Sequence, residues 1–372
     1  MKFLEYIELN PKVALEKGKE YPFIEMSSVS TQYRNPEFID IKEFDSGVKF
    51  QDGDTVVARI TPCLQNGKRF YCKNIGCGFG STEYLVFRSK DTNIVDNLYL
   101  YYFMNTEFIR KSMINSMTGA TGRQRVNNDV FNNIDINFPK IKTQRRIADI
   151  LSAYDDLIEN NQKQIKLLEE AAQRLYKEWF VDLRFPGYEQ TKIIDGVPDG
   201  WKKGCLGDIA EFKRGKTITK TIAIDGNIPV VAGGTEPAYY HNIANTKAPV
   251  ITVSASGANA GFVRMYHKDV FASDCSFADI NTTEYLPFVY CFMINNKAQL
   301  EILQKGSAQP HVYAKDINAI MLNIPNENII YSFCEITKIF FDKVKILEQS
   351  TRNLKRARDR LLPKLMSGEI EV

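Results

Sequence analysis

The side chains best suited to chemistry lie in Met117–Asp129, MTGATGRQRVNND, a polar, glycine-bearing and basic stretch that reads as a loop. Arg123, Gln124, Arg125 and Asn127 are the types that recognise base edges. Arginine donates bidentately to guanine O6 and N7, and the carboxamide of Gln or Asn pairs with adenine N6 and N7. Taken alone, such a loop reads first as an ordinary solvated connection. A matching loop in the second half of the chain, LQKGSAQPHVYAKDIN (Leu303–Asn318), favours nucleic-acid contact and offers Ser307, Gln309, His311, Tyr313 and Lys315. A second set follows a strand-like stretch at 55–60: Thr61, Gln65, Asn66, Lys68 and Arg69. In the second half, the further candidates are Lys213, Arg214, Lys216, Thr217, Ser254, Ser256 and Asn259. The Lys, Ser and Thr members suit phosphate positioning better than base specification.

Signatures of catalysis are missing. An adenine methyltransferase needs a Gly-rich cofactor loop and an Asn/Asp-Pro-Pro-aromatic motif, and Asn35-Pro36-Glu37-Phe38 lacks the second proline. Gly76–Gly80 does not lead from a strand into a helix, and no GxxxxGK[ST] phosphate loop occurs. Ser254 in SASG is not a nucleophile elbow. Cys72 and Cys77 are five residues apart with no nearby His, so no zinc spacing is present. These readings point to no enzyme, no metal and no cofactor of the chain's own.

The element that must position the loops is Lys142–Tyr188. Ile147, Ile150, Tyr154, Leu157, Asn161, Gln164, Leu168, Ala171 and Leu175 follow coiled-coil a/d spacing, with Thr143 as the expected N-cap. A helix over 143–178 would be about 54 Å long at the standard rise. An offset of 186, half of the 372 residues, maps this seam onto Phe333, Ile336, Phe340, Lys343, Leu347, Ser350, Leu354, Ala357 and Leu361. The same offset maps NIDINFP (Asn133–Pro139) onto AIMLNIP (Ala319–Pro325). The chain therefore reads as a tandem repeat of one unit, a globular domain of roughly 140 residues followed by a long helix. Asn161 and Gln164 on the seam read as register-fixing polar residues, the alternative being a bundle with helices from partner subunits.

A hydrophobic content of 44% with 25% charged residues is that of a globular protein with room for two or three cores. No apolar run suits a membrane span and no signal-peptide core stands at the N-terminus, so a cytoplasmic location is expected. The net charge of +3 does not announce a nucleic-acid binder. A local contrast is sharper: residues 351–364 carry six basic residues against Asp359, whereas 165–178 balance to zero. That run is either a solvated helix face or a ridge facing phosphate or a partner.

Strands are expected within Lys49–Pro62, at Glu83–Arg88, Asn133–Pro139, Pro249–Ser254 and Ala260–Met265. Cys72–Ser81 reads as a tight turn, and Asn97–Met113 and Tyr285–Lys305 read as helical. Trp179 and Trp201 read as packing anchors flanking a linker, and Pro363 should end or kink the second long helix.

WFVDLRFPGYE (Trp179–Glu189), VPDGWKKGCLGDIAEFKRGK (Val197–Lys216), TVSASGANAGFV (Thr252–Val263) and RLLPKLMSGEI (Arg360–Ile370) resemble the DNA-specificity subunits of type I restriction-modification systems. The resemblance covers nearly the whole chain, although the N-terminus lacks the Pro-x-Gly-Trp opening found at Pro198–Trp201 and the second long helix has no counterpart to Gln144. It implies an α+β fold, with two mixed α/β target recognition domains joined by two long antiparallel helices as a pseudo-twofold tandem repeat. The boundaries expected are 1–142 and 199–326 for the domains, 143–180 and 327–366 for the helices, 181–198 for a linker and 367–372 for a tail. It further implies a non-catalytic subunit reading a bipartite site in double-stranded DNA, helix length setting the spacer. Two methyltransferase subunits would supply S-adenosylmethionine, and motor-nuclease subunits would join for restriction. The alternatives are a stand-alone nuclease or methyltransferase with an unrecognised site, and a coiled-coil adaptor with no DNA role.

Overall fold

The structure, a computed structural model, describes residues 2–306 and 310–372. The chain divides into two compact units of 186 residues each. One is continuous, residues 163–348; the other combines residues 1–162 with 349–372.

The first unit is built on an antiparallel sheet in the order Ile7–Leu9, Tyr84–Ser89, Thr55–Ala58, Arg69–Tyr71. Its central strands are apolar on both faces because each face has a cover, and alternate residues point opposite ways. Val56, Phe70 and Val86 pack with Ile24 and Phe50 of a second sheet. Val57, Leu85 and Phe87 pack with Leu100, Ile109 and Met113 of the helices Asn97–Phe103 and Glu107–Asn115. The second sheet runs Asp40–Glu43, Glu20–Ile24, Cys77–Gly80, Val48–Gln51, its middle pair being parallel. Glycine permits that pairing, since a Cβ on Gly80 would lie 2.5 Å from the Ile24 carbonyl oxygen. Cys77–Gly80 is thus a strand, not part of a tight turn as expected. The helical segment expected over Asn97–Met113 is two helices, the first capped by the Asp96 carboxylate at the Leu98 and Tyr99 amides. Asn133–Pro139 is not a strand but makes a single bridge, Asp135 with Lys2.

The second unit repeats this topology. Its main sheet runs Lys213–Arg214, Cys275–Asp279, Val250–Ser254, Val263–Tyr266, and its smaller sheet again has one parallel pair, Val230 with Phe271. The helices Leu286–Asn295 and Lys297–Ile302 cover the main sheet, and Trp179 and Trp201 are buried in the core with them.

The long helices are Ile141–Tyr176 and Glu327–Ser367. The first starts two residues before Thr143, so Thr143 is not its cap. Its start is pinned by the buried Gln144, whose side-chain amide donates to the carbonyls of Ile94 and Pro139 and accepts from the Asp96 amide. Pro363 does not end the second helix, which runs on to Ser367. The seam keeps the expected register at Ile147, Asn161, Phe333 and Leu347, and between them it is displaced by one residue. Ile147, Leu151, Asp155 and Ile158 are buried while Leu157 is 52% exposed; likewise Thr337, Phe341 and Val344 are buried while Ile336 is 40% exposed. Within the first unit the helices run antiparallel. Asn161 Nδ2 donates to Ser350 Oγ at 3.2 Å and Thr351 Oγ1 at 3.3 Å, and Asp155 meets Arg358.

The first unit is closed by the C-terminal segment. At the 186 offset, Leu362 and Leu365 stand where Tyr176 and Trp179 stand in the second unit. Leu362 and Leu365 pack on Tyr99, Tyr102, Ile147 and Leu151, as Tyr176 and Trp179 pack on Phe288 and Phe333. The start of the chain supplies the rest: the Phe3 amide donates to the Ile134 carbonyl as the Leu206 amide does to Ile320.

Candidate nucleic-acid interface

Each unit brings its two candidate segments together by the same backbone device. In the first, Arg125 bridges both Ile60 and Thr118; in the second, His311, its counterpart at the 186 offset, bridges both Ser256 and Lys305. The turn after the central strand thereby lies beside the polar loop. Thr61 locks the pair in the first unit. Its amide donates to the Gln124 carbonyl at 2.9 Å, and its hydroxyl accepts from the Gln124 amide at 3.0 Å. The Val312 amide donates to the Ala255 carbonyl in the second.

The candidate side chains divide by what they touch. Gln65, Asn66, Arg123 and Asn127 are exposed, the last accepting from the Asp129 amide through its side chain; Gln124 is half-buried. Lys68, Arg69 and Arg125 are turned onto the protein. Lys68 Nζ donates to the Met26 carbonyl at 2.6 Å. Arg69 donates to the Gly67 carbonyl and its guanidinium stands 5.8 Å from the Tyr101 ring centroid. Burial, together with the charges of Arg358 and Arg110, lowers its pKa from the ordinary value. Arg125 makes a forked ion pair with Glu83 at 2.6–2.9 Å. Hydrogen bonding from that guanidinium holds the Glu83 carboxyl below its usual range.

In the second unit Lys213, Arg214, Lys216, Thr217, Asn259, Tyr313 and Lys315 are exposed, and His311, half-buried, stacks on Tyr313 at 6.0 Å. Ser254 is buried and its hydroxyl donates to the Gly233 carbonyl at 3.0 Å. The Ser256 hydroxyl bonds the Asp274 carboxylate. Ser307 and Gln309 lie outside the described residues. The Lys216 segment joins this surface through its amide, which donates to the Ala272 carbonyl, two residues before Asp274.

The matched halves agree with a profile described as a type I restriction modification DNA specificity domain, which fits residues 8–170 and again 198–356. The chain belongs to that family. Among its relatives in this specificity family, the type I restriction enzyme MjaIX specificity subunit of Methanocaldococcus jannaschii is 26% identical over 306 residues, covering 74% of this chain and 69% of the relative. The HindI specificity subunit of Haemophilus influenzae is 24% identical over 435 aligned positions, covering 92% of each chain. The S subunit of a type I restriction-modification system from M. genitalium has the same fold, with a TM-score of 0.55 at 17% identity over 98% of this chain and 95% of that one.

Of the six basic residues in the run 351–364, Lys355 and Arg358 are, in this specificity chain, directed at the protein itself, while Arg356, Arg360 and Lys364 are exposed. Arg358 pairs with Asp155 at 2.5 Å, with Tyr102 donating to the same carboxylate, and Lys355 donates to Gln32 Oε1 while lying over the Tyr33 ring. Arg34, on the same loop as Gln32, is buried and donates to Asp156 at 2.5 Å and Glu159 at 2.9 Å. Burial opposes the Arg34 charge, yet the two carboxylates raise its pKa above the ordinary value. Reasoning from residue types missed Glu83, Arg110, Asp274 and Gln304, which hold the candidate segments from elsewhere in the fold. No local pattern marks them, because each acts on a segment more than 15 residues away. Among the described residues no helix is long and apolar enough to cross a membrane.

Proposed function

We propose that this chain is the non-catalytic DNA-specificity subunit of a type I restriction-modification complex, each unit reading one half of a bipartite site in double-stranded DNA. The observation that carries this reading is the repeated bridge at Arg125 and His311, which presents two polar segments side by side in each unit. Gln65, Asn66, Arg123, Gln124 and Asn127 read one half-site, Arg123 by the guanine edge and the carboxamides by adenine. Asn259, His311, Tyr313 and Lys315 read the other, with Lys213, Arg214, Lys216 and Thr217 on phosphate. Thr61, Lys68, Arg69, Arg125, Ser254 and Ser256 brace these segments.

The length of the two long helices sets the unread spacer between half-sites. Two methyltransferase subunits dock on the chain, one per unit, and carry S-adenosylmethionine and the base-flipping step. Motor-nuclease subunits complete the assembly, which works in the cytoplasm. Sequencing for N6-methyladenine in cells expressing the chain with its cognate methyltransferase tests this directly. A single split motif, methylated only when the chain is present, is expected. Methylation indifferent to the chain would remove the specificity role.

A further inference from the structure

In both units a side chain from the helical layer reaches across to hold the turn that follows the central strand. Arg110, on Glu107–Asn115, donates through Nη2 to the Gln65 carbonyl at 3.2 Å. Gln304, just beyond Lys297–Ile302, donates through Nε2 to the Ala260 carbonyl at 2.9 Å. Each gripped carbonyl is followed within two residues by a glycine of positive φ that faces the same helical layer. Gly67 has φ +81°, and a Cβ there would meet Arg110 Nη2 at 3.3 Å; Gly261 has φ +86° and faces the Leu300 carbonyl. The side chains next to the gripped carbonyls are the exposed polar ones, Gln65 and Asn66 in one unit and Asn259 in the other. The donors differ chemically, a guanidinium and a carboxamide, while the grip recurs at the same place in the repeated topology.

We propose that Arg110 and Gln304 are positioning residues for sequence readout: each fixes the backbone of a reading turn, so that its side chains meet base edges in one orientation. This rests on the reading of these turns as DNA-contacting, and extends it to two residues that touch no DNA themselves. A turn bearing long polar side chains has many conformers of similar energy, and only those aligned with a base edge discriminate between bases. A hydrogen bond to a carbonyl that would otherwise wag, charge-assisted from Arg110 and neutral and weaker from Gln304, favours one of them. Arg69 supports the same turn from within, through its bond to the Gly67 carbonyl.

The test uses the chain assembled with its methyltransferase subunits, and methyl transfer to a DNA library in which each recognised base is varied in turn. Arg110→Met should lower discrimination at the first unit's half-site about tenfold, the scale of one charge-assisted hydrogen bond, and leave the other half-site unchanged. Arg110→Lys, which keeps a donor, should restore most of it. Gln304→Leu, at an exposed position where folding is not at stake, should blur the second half-site alone. Gln65→Ala, Asn66→Ala and Asn259→Ala report separately on the reading itself. If these alanine variants lower discrimination while Arg110→Met and Gln304→Leu do not, the positioning role is overturned. If the alanine variants leave every base preference intact, the turns do not read DNA and the underlying assignment falls first. A loss in Arg110→Met that accompanies loss of assembly, and that lysine does not rescue, makes Arg110 merely structural and also overturns the proposal.

Discussion

Arg358 Nη1 lies 2.5 Å from Asp155 Oδ1, both side chains buried, where the second unit places Ala172 and Phe341 at the equivalent positions. One crossing of the repeated helix pair is therefore ionic and its counterpart apolar. Burying two charges costs desolvation that their attraction roughly offsets, so removing one partner is far worse than removing both. Asp155→Ala or Arg358→Ala should destabilise the first unit by about 3–5 kcal/mol. The paired change Asp155→Phe with Arg358→Ala, which copies the second unit, should recover most of that loss. Thermal denaturation of the three variants checks the cycle.

The C-terminal segment should matter to the N-terminal half of the chain. Leu365→Ala removes a buried side chain from the first unit and should cost about 2–5 kcal/mol. Amide exchange should quicken around Tyr99–Tyr102 and Ile147–Leu151, and not in the second unit. Equal quickening in both would mean that the permuted closure of the first unit is not independent.

Glu169 should make the second unit more stable in mild acid. Burial, reinforced by the Glu348 charge, pushes its carboxyl up to about 7. The folded state therefore binds a proton that the unfolded state, with a carboxyl near 4.3, has released. That contribution is fully present below the unfolded value and is lost as pH rises through about 7. Glu169→Gln should flatten the dependence between pH 5 and 8, as read by chemical denaturation at each pH.

Arg123 and Arg125, two residues apart, should behave differently on substitution. Arg123→Ala should cost about 1–3 kcal/mol of base discrimination at one position of one half-site. Arg125 is engaged by Glu83, half-exposed, and its replacement by alanine should change stability by less than about 1 kcal/mol. A randomised-site binding assay against a melting curve separates the two.

The repeat, the long helices and the candidate loops were legible because each is a local pattern copied at a fixed offset. The seam register was legible only in part, at Ile147, Asn161, Phe333 and Leu347. Asp155, Thr337, Thr351 and Arg358 are buried on it, and polar residues there look like the solvent face until their partners are known. Leu157 and Ile336 drew the expected stripe one residue aside because they are apolar and exposed. Three of the eight lysines and arginines among the candidates are hydrogen-bonded to the protein itself: Lys68 and Arg69 face carbonyls, and Arg125 faces a carboxylate.

Residue identity alone settled that the chain is duplicated and lacks the familiar catalytic motifs, since a copied pattern and a missing motif need no knowledge of distant contacts. Only the tertiary structure decided how the copies close. The second unit is continuous, whereas the first takes Leu362 and Leu365 from the far end of the chain. It also decided which polar side chains face outward, because a carbonyl or carboxylate brought near by folding outcompetes water for a cation only when the geometry is already in place.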